Sequence, residues 1–509
     1  MTTATVPTFE AISLPRNASR TIMRWFVALC VLTALAGRLA YLCRPFDHDA
    51  AMFVYLGKSV ADGDRFCHDV IDNKFPSVGL VTSVCWRAFG TNWPAYIFLQ
   101  TTLAFAGALM LARCAARNVG EYAKMPTLLA ALIYLNFSVC VFGGFQLETL
   151  QMFFSILAAC SAIEAIRSHE LSDAFIVGLA AGCAAMLKPT GLSPLGAFAC
   201  AILFITSGIP SPKRAGLLLM SIFGLAIPSV IVLIYMIHID ILRDLPELWR
   251  QISLYASQTP WRWEDIFKPI TVIVLCCFGI FVRGWIFRRK AHRIAARPDR
   301  AIVAFAIIWL ILEMLGAFMQ RRMYAYHFLP LAAPAALLFG LLPRKTEIWP
   351  LMAALGPMIL FSIAGSNEVL SYPDPRVPIL PTSAWILKHS SPGDAVWQDS
   401  VPRLLLETNL RPGSRFPIMF IFGNHDTAAL EYTPIMLADF EKRKPKFIIL
   451  PTDMDAKLRS ETTLNANLSR SPVRAENFRW AWRQIESYTK SRYTPAVQIR
   501  GETIYQRKS

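Results

Sequence analysis

The chain is short of charge. Only 17% of its 509 residues are Asp, Glu, Lys or Arg, where soluble domains carry about 25%. That deficit excludes one or two ordinary water-soluble domains. No cysteine follows Cys277, so the polar C-terminal third has no disulfide framework. Most of the eleven cysteines fall in apolar runs, where Cys behaves as a small hydrophobe. Cys43, Cys67 and Cys85 are the ones a membrane topology would expose to an oxidising compartment. G-x-x-x-x-G-K-S/T, H-E-x-x-H and C-x-x-C are all absent, so nothing points to a nucleotide loop or a structural zinc. Nor does an internal repeat stand out. The net charge of +16 is no nucleic-acid footprint either, because the basic residues sit in short loops between apolar stretches.

What remains is apolar. Hydrophobic residues make up 54% of the chain, with 33 Phe and 13 Trp, and mean hydropathy is +0.41. Spans need about 20 apolar residues each. They are expected at 22–43, 93–114, 126–145, 147–167, 173–190, 191–208, 216–238, 268–287, 301–319, 327–342 and 349–366. Arg16 and Arg20 precede the first and Arg24 lies at its start, which reads as a retained anchor. The apolar run 77–90 has fourteen residues, too few to span, and reads as an interfacial helix. Counting it as a span would invert every later loop. It would also put the cluster Arg283, Arg288, Arg289, Lys290, Arg293, Arg297 and Arg300 on the wrong side of the positive-inside rule.

Eleven spans with the N-terminus inside divide the chain into a transmembrane domain, 1–366, and an outer C-terminal domain, 367–509. In the latter, 394–398, 446–451 and the two closing runs read as strands, and 428–443 and 476–490 as helices. The expected fold is a polytopic α-helical membrane protein with a small α/β or α+β C-terminal domain.

The first outer loop, 44–92, carries the chemistry. Six Asp crowd into 47–72 beside Lys58, Arg65 and Lys74. Asp62-Gly63-Asp64 reads as a turn. Asp47 and Asp49 follow directly on the first span, where a carboxylate can serve as a general base or hold a divalent cation. Arg38 and Glu313 lie deeper in spans, where ionisable groups are costly and are functional or paired.

The run Asp49, Phe53, Tyr55, Gly57, Gly63, Asp69 and Asp72-Asn73-Lys74-Phe75-Pro76 resembles the first periplasmic loop of GT-C membrane glycosyltransferases. The branch is the one related to protein O-mannosyltransferases, the aminoarabinose transferase of lipid A and rhizobial galacturonosyltransferases. Phe75 departs from the Lys-Pro-Pro-like motif of that branch, and His48 interrupts its acidic pair, so either Asp47 or Asp49 matches the base. Glu148, Lys188 and the segment 320–334, with Arg321, Arg322, Tyr326 and His327, are supporting matches.

The resemblance implies an inverting transfer of sugar from a polyprenyl-phosphate donor. The acceptor would lie outside the cytoplasm of a bacterial inner membrane: lipid A, another glycolipid, a polysaccharide or a protein. It casts Asp49 or Asp47 as base and Lys74, Lys188, Arg321 and Arg322 as phosphate ligands. Asp69, Glu148, Tyr326 and His327 would line the substrate. It implies no cofactor, although the Asp pair is chemically compatible with Mg or Mn. Trp249, Trp261 and Trp263 in 239–268 read as a headgroup anchor or as a cover over the donor phosphate. A transporter of a lipid-linked or anionic substrate is the competing class, but its polar groups would line a path rather than gather on one side. An inactive, acceptor-binding relative would leave the Asp pair dispensable.

Overall fold

The computed structural model describes residues 16–44, 46, 48–141, 144–206, 208–257, 267–290, 299–321, 324–341, 348–371, 379–399, 402–464, 466–469 and 471–508. The bundle is built from α1 (Arg16–Leu39), α2 (His48–Ala61), α3 (Pro76–Phe89), α4 (Trp93–Val119), α5 (Lys124–Leu135), α6 (Leu147–Ser168) and α7 (Leu171–Leu187). It continues through α8 (Ser193–Cys200), α9 (Ser211–His238), α10 (Leu245–Ser257), α11 (Phe267–Lys290), α12 (Arg300–Met319), α13 (Ala332–Leu341) and α14 (Ile348–Leu370). Among the described residues six helices are long and apolar enough to cross a bilayer, and four shorter apolar ones accompany them. The chain is a multi-pass membrane protein.

Two sequence expectations shift. The span placed at 126–145 is helical only to Leu135. The Arg38 guanidinium takes the Leu135 carbonyl (2.6 Å) that a further helical turn would have used, and Asn136 folds its side-chain amide back onto the Leu132 carbonyl. Arg283, expected in a basic loop, is buried inside α11, with its guanidinium 4.7 Å from the centroid of the Phe339 ring. The fourteen-residue helix expected at 77–90 is α3, opened by Pro76 and closed at Gly90 (φ +54°). Cys43, Cys67 and Cys85 are free thiols.

Small residues set the closest packing. Gly178 on α7 lies against the Ser221 carbonyl of α9, and Gly224 on α9 against the Phe175 carbonyl of α7. Any side chain there would collide with backbone. Arg38, 1% exposed, joins four helices. It donates to Asn136 Oδ1 (3.0 Å), Gln100 Oε1 (3.3 Å), Thr149 Oγ1 (3.1 Å) and the Leu135 carbonyl. The guanidinium fork supplies enough donors for all four.

The C-terminal unit runs α15 (Pro381–His389), β1 (Ala395–Gln398), α16 (Arg403–Thr408), β2 (Arg411–Pro412), α17 (Ala428–Arg443) and β3 (Phe447–Pro451). It closes with α18 (Met454–Leu464), α19 (Ala466–Ser469), α20 (Pro472–Arg492), β4 (Tyr493–Ile499) and β5 (Glu502–Arg507). The sheet order is β2-β1-β3-β5-β4, with β1 parallel to β2 and β3, and β5 antiparallel to β3 and β4. The β4–β5 hairpin turns through Arg500 (φ +48°) and Gly501 (φ +82°), as a two-residue turn with both φ positive demands. The expected strands and helices are all present; the two-residue β2 was not anticipated. Val396, Leu404, Phe447 and Ile449 from this unit share one buried cluster with Phe53, Tyr55 and Leu56 of α2.

Candidate active site

The helix ends facing the C-terminal unit carry the candidate residues. Asp49 lies in the first turn of α2, where a carboxylate meets the positive end of the helix dipole. Pro76 is the first residue of α3 and holds Phe75 extended (φ −67°, ψ 146°), with Lys74 in the bend just before it. Glu148 is in the first turn of α6. Lys188 closes α7 in extended conformation because Pro189 follows it. An acid at one helix start thus meets a base at the end of its antiparallel neighbour.

The Lys188 ammonium is 2.6 Å from Glu148 Oε1, with the two side chains 20% and 4% exposed. Beneath it, Glu313 accepts from Trp309 Nε1 (3.0 Å), bonds the Ser193 side chain and feels the Lys188 charge. Gln151 fixes the turn after Lys188 through Thr190 Oγ1 (3.0 Å). The Ser77 hydroxyl donates to the Met186 carbonyl and so draws the start of α3 to the end of α7.

Lys74 stands 3.5 Å from Asp72 Oδ1, donates to Asn73 Oδ1 (2.7 Å) and lies 5.9 Å from the Phe53 ring centroid. Asp72 is 5% exposed but Lys74 is 37% exposed, so of this pair it is Lys74 that an entering substrate can touch. Burial by itself would lower its pKa. Asp72 and then Asp49 outweigh that and hold its pKa above the ordinary lysine value. Burial pushes the Asp72 carboxyl up, Lys74 opposes the rise and Asp49 adds to it; the net shift is upward. The Asp49 and Glu148 charges both act on Lys74 and on Tyr326, as does Tyr255. One electrostatic neighbourhood therefore unites Asp49, Asp72, Lys74, Glu148, Tyr255 and Tyr326, with Lys188 bonded to its edge.

Asp69 is engaged elsewhere. Asp69 accepts from the Arg65 backbone N–H (3.0 Å) and Nε (3.3 Å), and its Oδ1 is 2.9 Å from His68 Nδ1. Burial alone would raise its carboxyl, but these bonds lower it to about 2. Its role here is to close a turn. His327 is buried against Tyr326 (4.7 Å between ring centroids) and Tyr324 (5.4 Å). Arg321 is exposed just past α12, at φ +56°. Asp47, Arg322, Trp261 and Trp263 lie outside the described residues. Asp62 and Asp64 form the expected turn around Gly63 (φ +97°), paired to Lys58 and Ser59. Among the described residues no three His, Cys, Asp or Glu side chains group to hold a metal ion.

Sequence reasoning placed Asp72 in the resembling run without giving it a role, and it did not select Tyr255. Asp72 is one of six loop aspartates, and only burial beside Lys74 singles it out. Tyr255, near the end of α10, carried no signal at all. Trp249, also on α10, meets Phe75 edge to face (6.2 Å), so that helix stands beside the Lys74 loop.

No family model and no curated protein matches the sequence. The fold is nonetheless similar to that of solved GT-C membrane glycosyltransferases. ArnT from Cupriavidus metallidurans, solved with undecaprenyl phosphate bound, is similar over 95% of this chain and 98% of its own, with a TM-score of 0.60 at 14% identity. The apo oligosaccharyltransferase of Archaeoglobus fulgidus gives a TM-score of 0.48 at 12% identity, over 88% of this chain and 72% of its own. Arabinosyltransferase EmbB of Mycobacterium smegmatis gives 0.45 at 12%, over 86% and 43%.

Proposed function

We propose that this chain is an inverting glycosyltransferase that takes a sugar from a polyprenyl-phosphate donor. The observation that supports it most is an accessible lysine, Lys74, ion-paired to the buried Asp72 and within the field of a partly exposed carboxylate, Asp49, in a bundle whose fold is similar to that of ArnT. In this reading the acceptor hydroxyl gives its proton to Asp49 as its oxygen bonds the anomeric carbon from the face opposite the phosphate. The carbon–oxygen bond to phosphate breaks and its electron pair leaves with the polyprenyl phosphate. That leaving group is an anion of low basicity and needs a cation rather than a proton donor. Lys74 supplies the cation; Lys188 is already neutralised by Glu148 and serves more to shape the site. Undecaprenyl phosphate, the lipid bound in the ArnT structure, is the natural probe. The site and the C-terminal unit would face the extracytoplasmic side of a bacterial inner membrane, where the acceptor resides.

The test follows a radiolabelled polyprenyl-phosphate sugar pool into acceptor fractions of membranes holding matched amounts of wild type or Lys74→Ala. Transfer by the wild type, with at least tenfold loss in Lys74→Ala (a charge-assisted contact is worth roughly that much), supports the reading. Equal labelling by both would overturn it.

A pH dependence accompanies it. Because Asp72 and Asp49 raise the Lys74 pKa, the ammonium persists through the neutral and mildly alkaline range, and undecaprenyl phosphate affinity should stay level there. Asp72→Asn removes the larger attraction, burial then prevails, and the Lys74 pKa falls. Affinity in that variant should decline at a lower pH than in the wild type. Identical alkaline profiles would show that Asp72 does not set the Lys74 charge.

A further inference from the structure

The loop that ends in Lys74 is held from outside the membrane bundle. The Ile71 N–H donates to the Arg415 carbonyl (2.9 Å), and the Ile71 side chain packs against the core of the C-terminal unit. Arg443, the last residue of α17, donates Nη2 to the Asp69 carbonyl (3.1 Å) and Nη1 to the Pro412 carbonyl (3.3 Å). Arg415 is itself immobilised: the buried Asp439 carboxylate accepts from its backbone N–H (2.9 Å), Nε (3.0 Å) and Nη2 (2.9 Å). The backbone is thus gripped at 69 and at 71, three residues before Lys74. From there to the proline that opens α3 the path is short, with little slack to absorb a displacement at Asp69.

We infer that Arg443 is a positioning residue for Lys74, through which the C-terminal unit sets the position of the loop that presents this lysine to the donor phosphate. The inference rests on the reading of Lys74 as the phosphate ligand. Arg443 touches no substrate and acts through the Asp69 carbonyl. One substitution on a soluble helix should therefore alter lipid-phosphate binding at a site it does not reach.

The experiment measures undecaprenyl phosphate affinity and thermal midpoint for the full-length protein in detergent. It compares wild type, Arg443→Met, Arg443→Lys, Lys74→Ala and, as a control on another inter-element ion pair, Arg492→Ala (Arg492 bonds Glu441 at 2.8 Å). Arg443→Met should weaken binding by about tenfold, the scale of losing a charged hydrogen-bond donor, while its midpoint matches that of Arg492→Ala. Its affinity should also decline at lower pH, since a displaced Lys74 loses Asp72. Arg443→Lys keeps one donor and should recover most of the affinity. Should Arg443→Met not fold, Arg443→Gln, with one amide donor, is read by the same criterion against Arg443→Lys. Wild-type affinity in the Arg443 variants, with affinity lost in Lys74→Ala, overturns the positioning role and leaves the proposed function standing. Wild-type affinity in Lys74→Ala overturns both.

Discussion

Asp49→Asn should leave the protein folded and able to hold undecaprenyl phosphate, yet reduce sugar transfer by about 10²–10⁴-fold, the range a positioned general base contributes. The substitution is nearly isosteric and forfeits only the helix-dipole contribution of about 0.3–1 kcal/mol, so α2 keeps its first turn. What disappears is the proton acceptor, because an amide cannot take the acceptor hydroxyl's proton. Donor binding should change little. Asp49 is only the second carboxylate acting on Lys74, and Asp72, the stronger, remains. Initial rates with labelled donor, set beside direct lipid-phosphate binding, separate the two effects. Asp47→Asn belongs in the same series, because the sequence match leaves both aspartates eligible. Full transfer in the Asp47→Asn/Asp49→Asn double variant would end the base assignment.

Lys188→Met should be the most damaging single change to stability. It strands the Glu148 carboxylate, 4% exposed, without its cation, and breaking such a pair costs about 3–5 kcal/mol. Glu313 loses the same positive field, although Trp309 and Ser193 still bond it. The double variant Lys188→Met/Glu148→Gln removes the stranded charge and should regain most of the lost stability in a denaturation series. Activity then separates structure from chemistry. If the pair only shapes the site, the double variant transfers sugar near the wild-type rate; if Lys188 also meets the donor, stability returns without donor affinity. A Lys188→Met protein as stable as the wild type would show that the 2.6 Å contact is not energetically coupled to the fold.

Much of this arrangement was legible because a few local rules dominate. Pro76 and Pro189 each force the preceding residue out of helix; the first fits the helix start expected at 77, whereas the span expected at 173–190 runs on through Lys188, where α7 in fact ends. Charge cost in lipid marked Arg38 and Glu313 as partnered, but the partners of Arg38 come from residues 62 to 111 positions away, and no local pattern encodes such a meeting. The same limit hid Asp72 among its neighbours: six aspartates look alike until burial removes water from one of them. It also explains why α5 was read too long. The apolar run continues past Leu135, and only the tertiary bond from Arg38 stops the helix. Asp69 shows the converse. Its place in a recognisable motif drew attention to the side chain, whereas its backbone carbonyl is the atom gripped by Arg443.

The buried cluster shared by α2 and the sheet bears on how such a protein can diversify. A recognition module joined by a flexible tether can be exchanged between lineages like a cassette, because its boundary carries few shared contacts. Here Val396, Leu404, Phe447 and Ile449 complete the same apolar interior as Phe53, Tyr55 and Leu56, a few residues from Asp49. Grafting a foreign C-terminal unit would expose the back of the helix that carries the candidate base. Changes that retune the outer surface must therefore be inherited together with compensating changes in α2.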